Sequence, residues 1–132
     1  MMPGANLRCT IINPEGQVYD GEVDFVAVPA HDGEIGILRD RAPLVCQLGV
    51  GALRLRTGTV EETWFVNAGF AEVLGNHVVV LTQEALRPEE IDRDEERALL
   101  NAAQRMRTRD DASARRKDRA LAGARARLRM AR

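Results

Sequence analysis

The side chains of this 132-residue chain that could do chemistry are mostly its charges, and they are unevenly placed. The overall net charge is −1. Residues 1–85 carry 5 basic and 11 acidic side chains, a net of −6, whereas residues 86–132 carry 14 basic and 9 acidic, a net of +5. From Arg105 onward 11 basic residues face only 3 acidic ones, and Arg115, Arg116, Lys117 and Arg119 are the densest part of that run. A segment of this kind is drawn to an anionic partner. Three readings follow. The run is a solvated helix face with local ion pairs, such as Asp118 with Arg115. Alternatively it neutralises nucleic-acid phosphates. Or it docks on an acidic protein surface. It holds no aromatic residue on which a base could stack, and the single tryptophan, Trp64, lies far from it in the sequence.

Other reactive groups are sparse. Phosphate-loop, nucleophile-elbow, zinc-protease and dinucleotide patterns are all absent. Gly49-Val50-Gly51 has no neighbouring Lys and Ser/Thr pair, so it reads as a turn. His31 sits beside Asp32 in a polar turn and His77 opens a strand, so both read as surface residues. Cys9 and Cys46 lie far apart in apolar patterns with no paired-cysteine spacing, which fits inert thiols better than a metal site or a disulfide framework. Neither catalytic residues nor metal ligands are expected, and the chain reads as a non-enzyme. It opens without an apolar signal segment, and no run reaches the roughly 18 apolar residues of a membrane-spanning helix. A soluble protein is expected, reaching a membrane only through partners.

The elements that must position these charges fall into two kinds. Residues 7–85 read as short strands. The organising stretch runs from Val28 to Leu38, with Asp32-Gly33 as a hairpin signal between apolar runs and Gly33 placed where positive φ is needed. Gly36, inside a strand pattern, marks a bulge or a close backbone approach, and Pro43 guides the chain back. Leu7–Ile12 is a first strand, with Pro14-Glu15-Gly16 as its turn. Gln17–Tyr19 is a brief strand that Asp20-Gly21 ends. In residues 22–29, Val23, Phe25 and Ala27 share one face. Leu44–Leu48 follows. Leu53 and Leu55 point inward while Arg54 and Arg56 point out. Further strands are expected over 60–66, 67–74 and 77–82, with Thr57-Gly58 and Gly75-Asn76 as turns. Many strands of this length with regular turn signals indicate a β-sandwich or flattened barrel.

At Arg87-Pro88-Glu89-Glu90 the texture changes. Pro at a first helical turn, followed by acids, predicts a helix from Pro88 to about Arg107. Its apolar stripe is Ile91, Ala98 or Leu99, Ala102 and Met106. Asp110 or Asp111 caps a second helix from about Ala112 to Met130, with Ala114, Leu121, Ala124 and Leu128 as its stripe. The short connection makes the helices antiparallel neighbours. Alanine-rich stripes bury little apolar area, so the hairpin is expected to be marginal by itself. The fold class is thus α+β: a sandwich or flattened barrel of about ten short strands over residues 1–86, then an antiparallel two-helix hairpin over residues 87–132.

The run from Asp32 to Leu38, then Ala42-Pro43-Leu44, then Gly49 to Leu55, resembles the epsilon subunits of the F-type rotary ATP synthase. Asn67-Ala68-Gly69-Phe70-Ala71-Glu72-Val73 resembles that family's Gly-Gly-hydrophobic-hydrophobic-Glu-Val strand. The resemblance covers most of residues 7–106. Arg41 departs from it, since the family often carries His before Ala-Pro-Leu.

The resemblance implies a subunit of the central stalk that couples proton-driven rotation to ATP synthesis and inhibits ATP hydrolysis through its C-terminal helices. The sandwich would bind the gamma subunit and the membrane c-ring, with Asp32, Gly33 and Glu34 at the ring. The basic helix, through Arg115, Arg116, Lys117 and Arg119, would meet an acidic segment of the catalytic beta subunit, and nucleic acid would not be a partner. The rival is an adaptor that binds nucleic acid through that helix. No cofactor is required, but some family members bind regulatory ATP on the hairpin. Asp94 and Arg97 match the first half of that motif, and Arg125 and Arg129 the second, with Arg93 and Met130 departing from it. Two arginines from adjacent helices could clamp a polyphosphate; an ordinary surface pair between Asp94 and Arg97 is the plainer alternative. The implied location is peripheral, at the cytoplasmic face of a bacterial plasma membrane.

Overall fold

The computed structural model describes residues 6–132. Ten strands precede two helices: β1 (Leu7–Asn13), β2 (Gly16–Val23), β3 (Phe25–Ala30), β4 (Gly33–Ile37), β5 (Leu44–Gln47), β6 (Val50–Thr57), β7 (Val60–Asn67), β8 (Phe70–Leu74), β9 (His77–Leu81), β10 (Glu84–Leu86), α1 (Arg93–Gln104) and α2 (Asp111–Met130). The strands form two five-stranded sheets, ordered β2-β1-β9-β8-β5 and β10-β7-β6-β3-β4. Neighbours pair antiparallel except β1 with β9, which run parallel. This is the expected sandwich followed by two helices.

The sheets close on a core of Leu7, Ile11, Val26, Val28, Ile37, Leu53, Leu55, Val66, Val78 and Val80, among others, all from the strands or their immediate connections. Alternation explains the choice: Leu53 and Leu55 are buried while Arg54 and Arg56, which alternate with them, are not. The turns follow their chemistry. Gly75 and Asn76 both adopt positive φ, 57° and 61°, the backbone that a two-residue hairpin of matching twist requires.

Two strand expectations are corrected. Asp20-Gly21 is not a turn, and β2 runs straight through it, with Asp20 opposite Thr10 and Gly21 opposite Cys9. The glycine makes room for a ring, because a Cβ there would stand 2.9 Å from the Tyr19 hydroxyl. The stretch 22–29 is not one strand. It breaks at Asp24, whose carboxylate accepts from the Gly58 amide at 2.6 Å while its own amide donates to the Arg56 carbonyl at 2.7 Å. Past the break the faces reverse: Val26 and Val28 enter the core, and Phe25 turns outward beneath Arg56, whose guanidinium carbon lies 4.7 Å from the ring centroid.

The chain divides into two compact units, Met1–Leu86 and Arg87–Arg132. Within the second, Pro88–Glu90 is a single 3-10 turn, and α1 starts only at Arg93. Asp92 is its cap, accepting from the amides of Asp94 and Glu95. Because the helix begins after Ile91, the expected stripe is out of phase. Ala98, Leu99, Ala102 and Met106 are exposed, while Glu96 and Ala103 are buried and Leu100 is half-buried. In α2, Asp110 and Ser113 form a capping box, and Gly123, Ala124 and Ala126 are buried.

Candidate functional site

The tip of the β3–β4 hairpin is built by register. Ala30 pairs with Gly33, leaving His31 and Asp32 as a two-residue loop, and Gly33 takes φ 132°. The loop is tied to the next strand, since the His31 amide donates to the Gln47 carbonyl at 2.9 Å and the Gly49 amide to the Pro29 carbonyl at 2.8 Å. An open groove of about 370 Å³ runs beside it, lined by His31, Asp32, Gly33, Cys46 and Gln47 among others. Asp32 and Gly33 are exposed. Glu34 is exposed too but engaged: Arg54 holds it at 2.7 and 3.3 Å and reaches Glu61 at 3.1 Å. The three residues assigned to the tip therefore lie together, with Glu34 facing along the sheet. Gly36 is neither a bulge nor a close backbone approach: it pairs in register with Ala27, and a Cβ there would stand 3.0 Å from the Phe25 side-chain ring.

The outer face of the first sheet combines an apolar strip with a polar chain. Phe70 and Leu81 are opposite each other and about half exposed, and Val45 and Leu74 are 65% and 60% exposed. Beside them Arg8 binds Asp20 through two nitrogens, Thr10 Oγ1 donates to Asp20 Oδ1 at 2.9 Å, and His77 Nε2 lies 2.8 Å from Thr10 Oγ1. The hydrogen bonds from Arg8 and then Thr10 hold the Asp20 carboxyl below its usual range. His77 is thus a member of a network and not a merely solvated residue. Burial pushes the Cys9 thiol up to about 12, and burial also raises that of Cys46, so neither is a ready nucleophile.

On α2, Arg115, Arg116 and Arg119 are exposed and lie within about 100° of one another around the helix, while Lys117 is half-buried and about 100° or more from each of them. Asp94 and Arg97 form an exposed pair at 3.6 Å on α1. Arg125 and Arg129 are also exposed. Each lies two positions from Arg127, about 200° around α2. Arg127 itself meets Glu96 of α1 at 2.8 Å. This arrangement does not gather Asp94, Arg97, Arg125 and Arg129 into one clamp. The residues that sequence reasoning missed are Glu96 and Arg127. A signal for the latter existed, since Ala124 and Arg127-Leu128 fit the second half of the ATP motif with Gly123 in its leading arginine place. Among the described residues no cluster of His, Cys, Asp and Glu could hold a metal, and no helix is long and apolar enough to cross a membrane.

Residues 6–88 match the family model of the ATP synthase delta/epsilon chain β-sandwich domain. The ATP synthase epsilon chain of Rhodopirellula baltica is 42% identical over 127 residues, covering 96% of this chain and 99% of the relative. That of Alkalihalophilus pseudofirmus is 43% identical over 100 residues, 76% of this chain and 75% of the relative. A chain in the Euglena gracilis mitochondrial ATP synthase, solved as an OSCP/F1/c-ring assembly, superposes with a TM-score of 0.80 at 25% identity, covering 92% of this chain and 78% of that one. A chain in the Tetrahymena thermophila central stalk/c-ring structure shares the fold, with a TM-score of 0.69 at 15% identity, covering 94% of this chain and 95% of that one. A sandwich matched from end to end, and a relative 42% identical over 96% of the chain, mean that this chain belongs to the family of ATP synthase epsilon chains.

Proposed function

We propose that the chain is a non-catalytic subunit of the rotary ATP synthase that fastens the central stalk to the membrane rotor ring and restrains ATP hydrolysis with its helical hairpin. The observation that carries this reading is the self-contained sandwich core: every residue of it precedes Arg87, so the hairpin can rearrange without opening it. The exposed apolar side chains Val45, Phe70, Leu74 and Leu81, set around Glu72 on one sheet face, suit the gamma subunit, since exposed apolar area favours burial against a partner. The tip with Asp32, Gly33 and Glu34 suits the polar loops of a c-ring, offering the exposed Asp32 carboxylate, the Glu34–Arg54 pair and a turn tied back to Gln47. The chain would then lie peripherally at the cytoplasmic face of a bacterial membrane, coupling proton-driven rotation to ATP synthesis.

The braking part rests on charge. In the released state the exposed arginines of α2 meet the acidic segment of the beta subunit and oppose rotation in the hydrolysis direction. The brake engages only if those contacts outweigh the ones given up on release. Regulatory ATP is no part of this reading.

The test is to delete residues 88–132 in the assembled enzyme. Hydrolysis should rise while the alpha, beta and gamma subunits still co-purify from membranes with the shortened chain. Unchanged hydrolysis removes the brake from the proposal, and loss of co-purification removes the assignment of assembly to the sandwich.

A further inference from the structure

The neutral positions that α1 and α2 bury fully are all alanine or glycine, with Leu100, Leu121 and Leu128 half-buried beside them, and among these the chain sets two opposite charges. Gly123, Ala124 and Ala126 of α2 and Ala103 of α1 are buried. Glu96 is buried as well, and Arg127 Nε lies 2.8 Å from Glu96 Oε2, with the two side chains only 11% and 10% exposed. Gly123 makes the room. A Cβ there would stand 3.3 Å from both terminal nitrogens of Arg127, one turn further along the same helix. Two more ties close this end of the hairpin: Arg93 Nη2 donates to the Ala131 carbonyl at 2.9 Å, and the Arg132 amide donates to the Pro88 carbonyl at 3.3 Å.

The physical balance of such a pair is unusual. Two charges withdrawn from water attract strongly but give up the hydration of both. Apolar residues of similar volume commonly hold as well or better, whereas removing one partner strands the other charge. Register is what the pair adds. A surface of alanine and glycine looks much the same after a slip of one turn, about 5.4 Å. An ion pair does not survive that slip. Opening the hairpin also rehydrates both charges, which lowers the cost of opening.

We propose that Glu96 and Arg127, seated on Gly123, form a releasable latch that fixes the register of α2 on α1 and lets the hairpin open more readily than an apolar pair would. The latch belongs to the hairpin itself, and it stands whether or not the open hairpin resists rotation.

Hydrogen exchange of the full-length chain tests it, with amides of β1 and β9 as the internal reference. Glu96→Gln and Arg127→Gln should each speed exchange across residues 111–130 by at least about tenfold, the mark of a broken buried pair. The double variant Glu96→Leu with Arg127→Met should return exchange to the wild-type rate or below it. Unchanged exchange in the single variants overturns the latch. So does a double variant that exchanges as fast as the singles, because the charges would then be net stabilisers. Gly123→Ala should fall short of the roughly fivefold slowing that helix propensity alone predicts; the full slowing would remove the glycine seat. Strand amides should stay protected throughout, and their loss would overturn confinement of the latch to the hairpin.

Discussion

At the residue scale, backbone conformation and one carboxylate make separable demands. Gly69 has φ 105°, and a Cβ there would stand 1.9 Å from the Leu81 carbonyl oxygen, a collision with backbone that no rotamer relieves. Gly58 has φ 61° with open space around it. Gly69→Ala should therefore lower the unfolding free energy by about 3 kcal/mol or more, and Gly58→Ala by about 1 kcal/mol, the ordinary cost of a left-handed alanine. Urea titrations of the two variants measure the difference, and equal losses would show that the collision is relieved elsewhere. Asp20 supplies a pH dependence. Its carboxyl is held low first by the hydrogen bond from Arg8 and then by that from Thr10. A depressed folded value adds stability above the unfolded value of about 3.9, and that stability is lost as pH falls through the folded one. Asp20→Asn should flatten the acid limb of stability below about pH 4. An unaltered acid limb in urea midpoints would mean that the Arg8 contact persists in the unfolded chain.

At the element scale, α2 keeps an exposed group of charges apart from a buried one. Arg115, Arg116 and Arg119 share an exposed side, whereas Lys117 lies off it and Arg127 is spent on Glu96. Reversing the first three to Glu should weaken inhibition of ATP hydrolysis in the assembled enzyme. The effect should shrink between about 0.01 M and 1 M salt, as screening shortens from about 30 Å to about 3 Å. Lys117→Glu alone should do less. Equal effects from Lys117→Glu and the triple variant would mean that the helix is read by net charge and not by one side. The helix start carries the same lesson on a smaller scale. Pro88 and its acids look like a helix opening and do form a turn, but Asp92 is the residue whose carboxylate takes the first free amides of α1.

At the scale of the whole molecule, the two units differ in how they are held. The sandwich buries large side chains such as Leu7, Ile11, Ile37, Leu53, Leu55 and Val66 almost completely, while its core cluster contains nothing beyond Ala85. The hairpin buries mainly alanine and glycine with Ile91, and adds a buried ion pair and terminal hydrogen bonds. Residues 1–86 expressed alone should thus give a β-type circular dichroism spectrum and a cooperative denaturant transition. A chain without such a transition would mean that the helices are part of what holds the strands, and a detachable brake would lose its basis.

The amino-acid sequence by itself determined the strand-rich head, the turns at Gly33, Gly58 and Gly75-Asn76, the inward leucines of β6 and the presence of two helices. Those features depend on neighbours in the chain: a glycine where φ must be positive, an alternation of two, a cap before an apolar stripe. Tertiary structure alone decided the rest. Gly21 looks like a turn until Tyr19 needs its space, and Asp24 reverses a strand's faces only because Gly58 and Arg56 wait for it. Glu96 counts as a surface acid in any periodicity, yet it turns inward because Arg127, far along the chain, gives the buried charge a partner. A buried polar group is permitted only by what it meets, and a one-dimensional pattern does not contain that meeting.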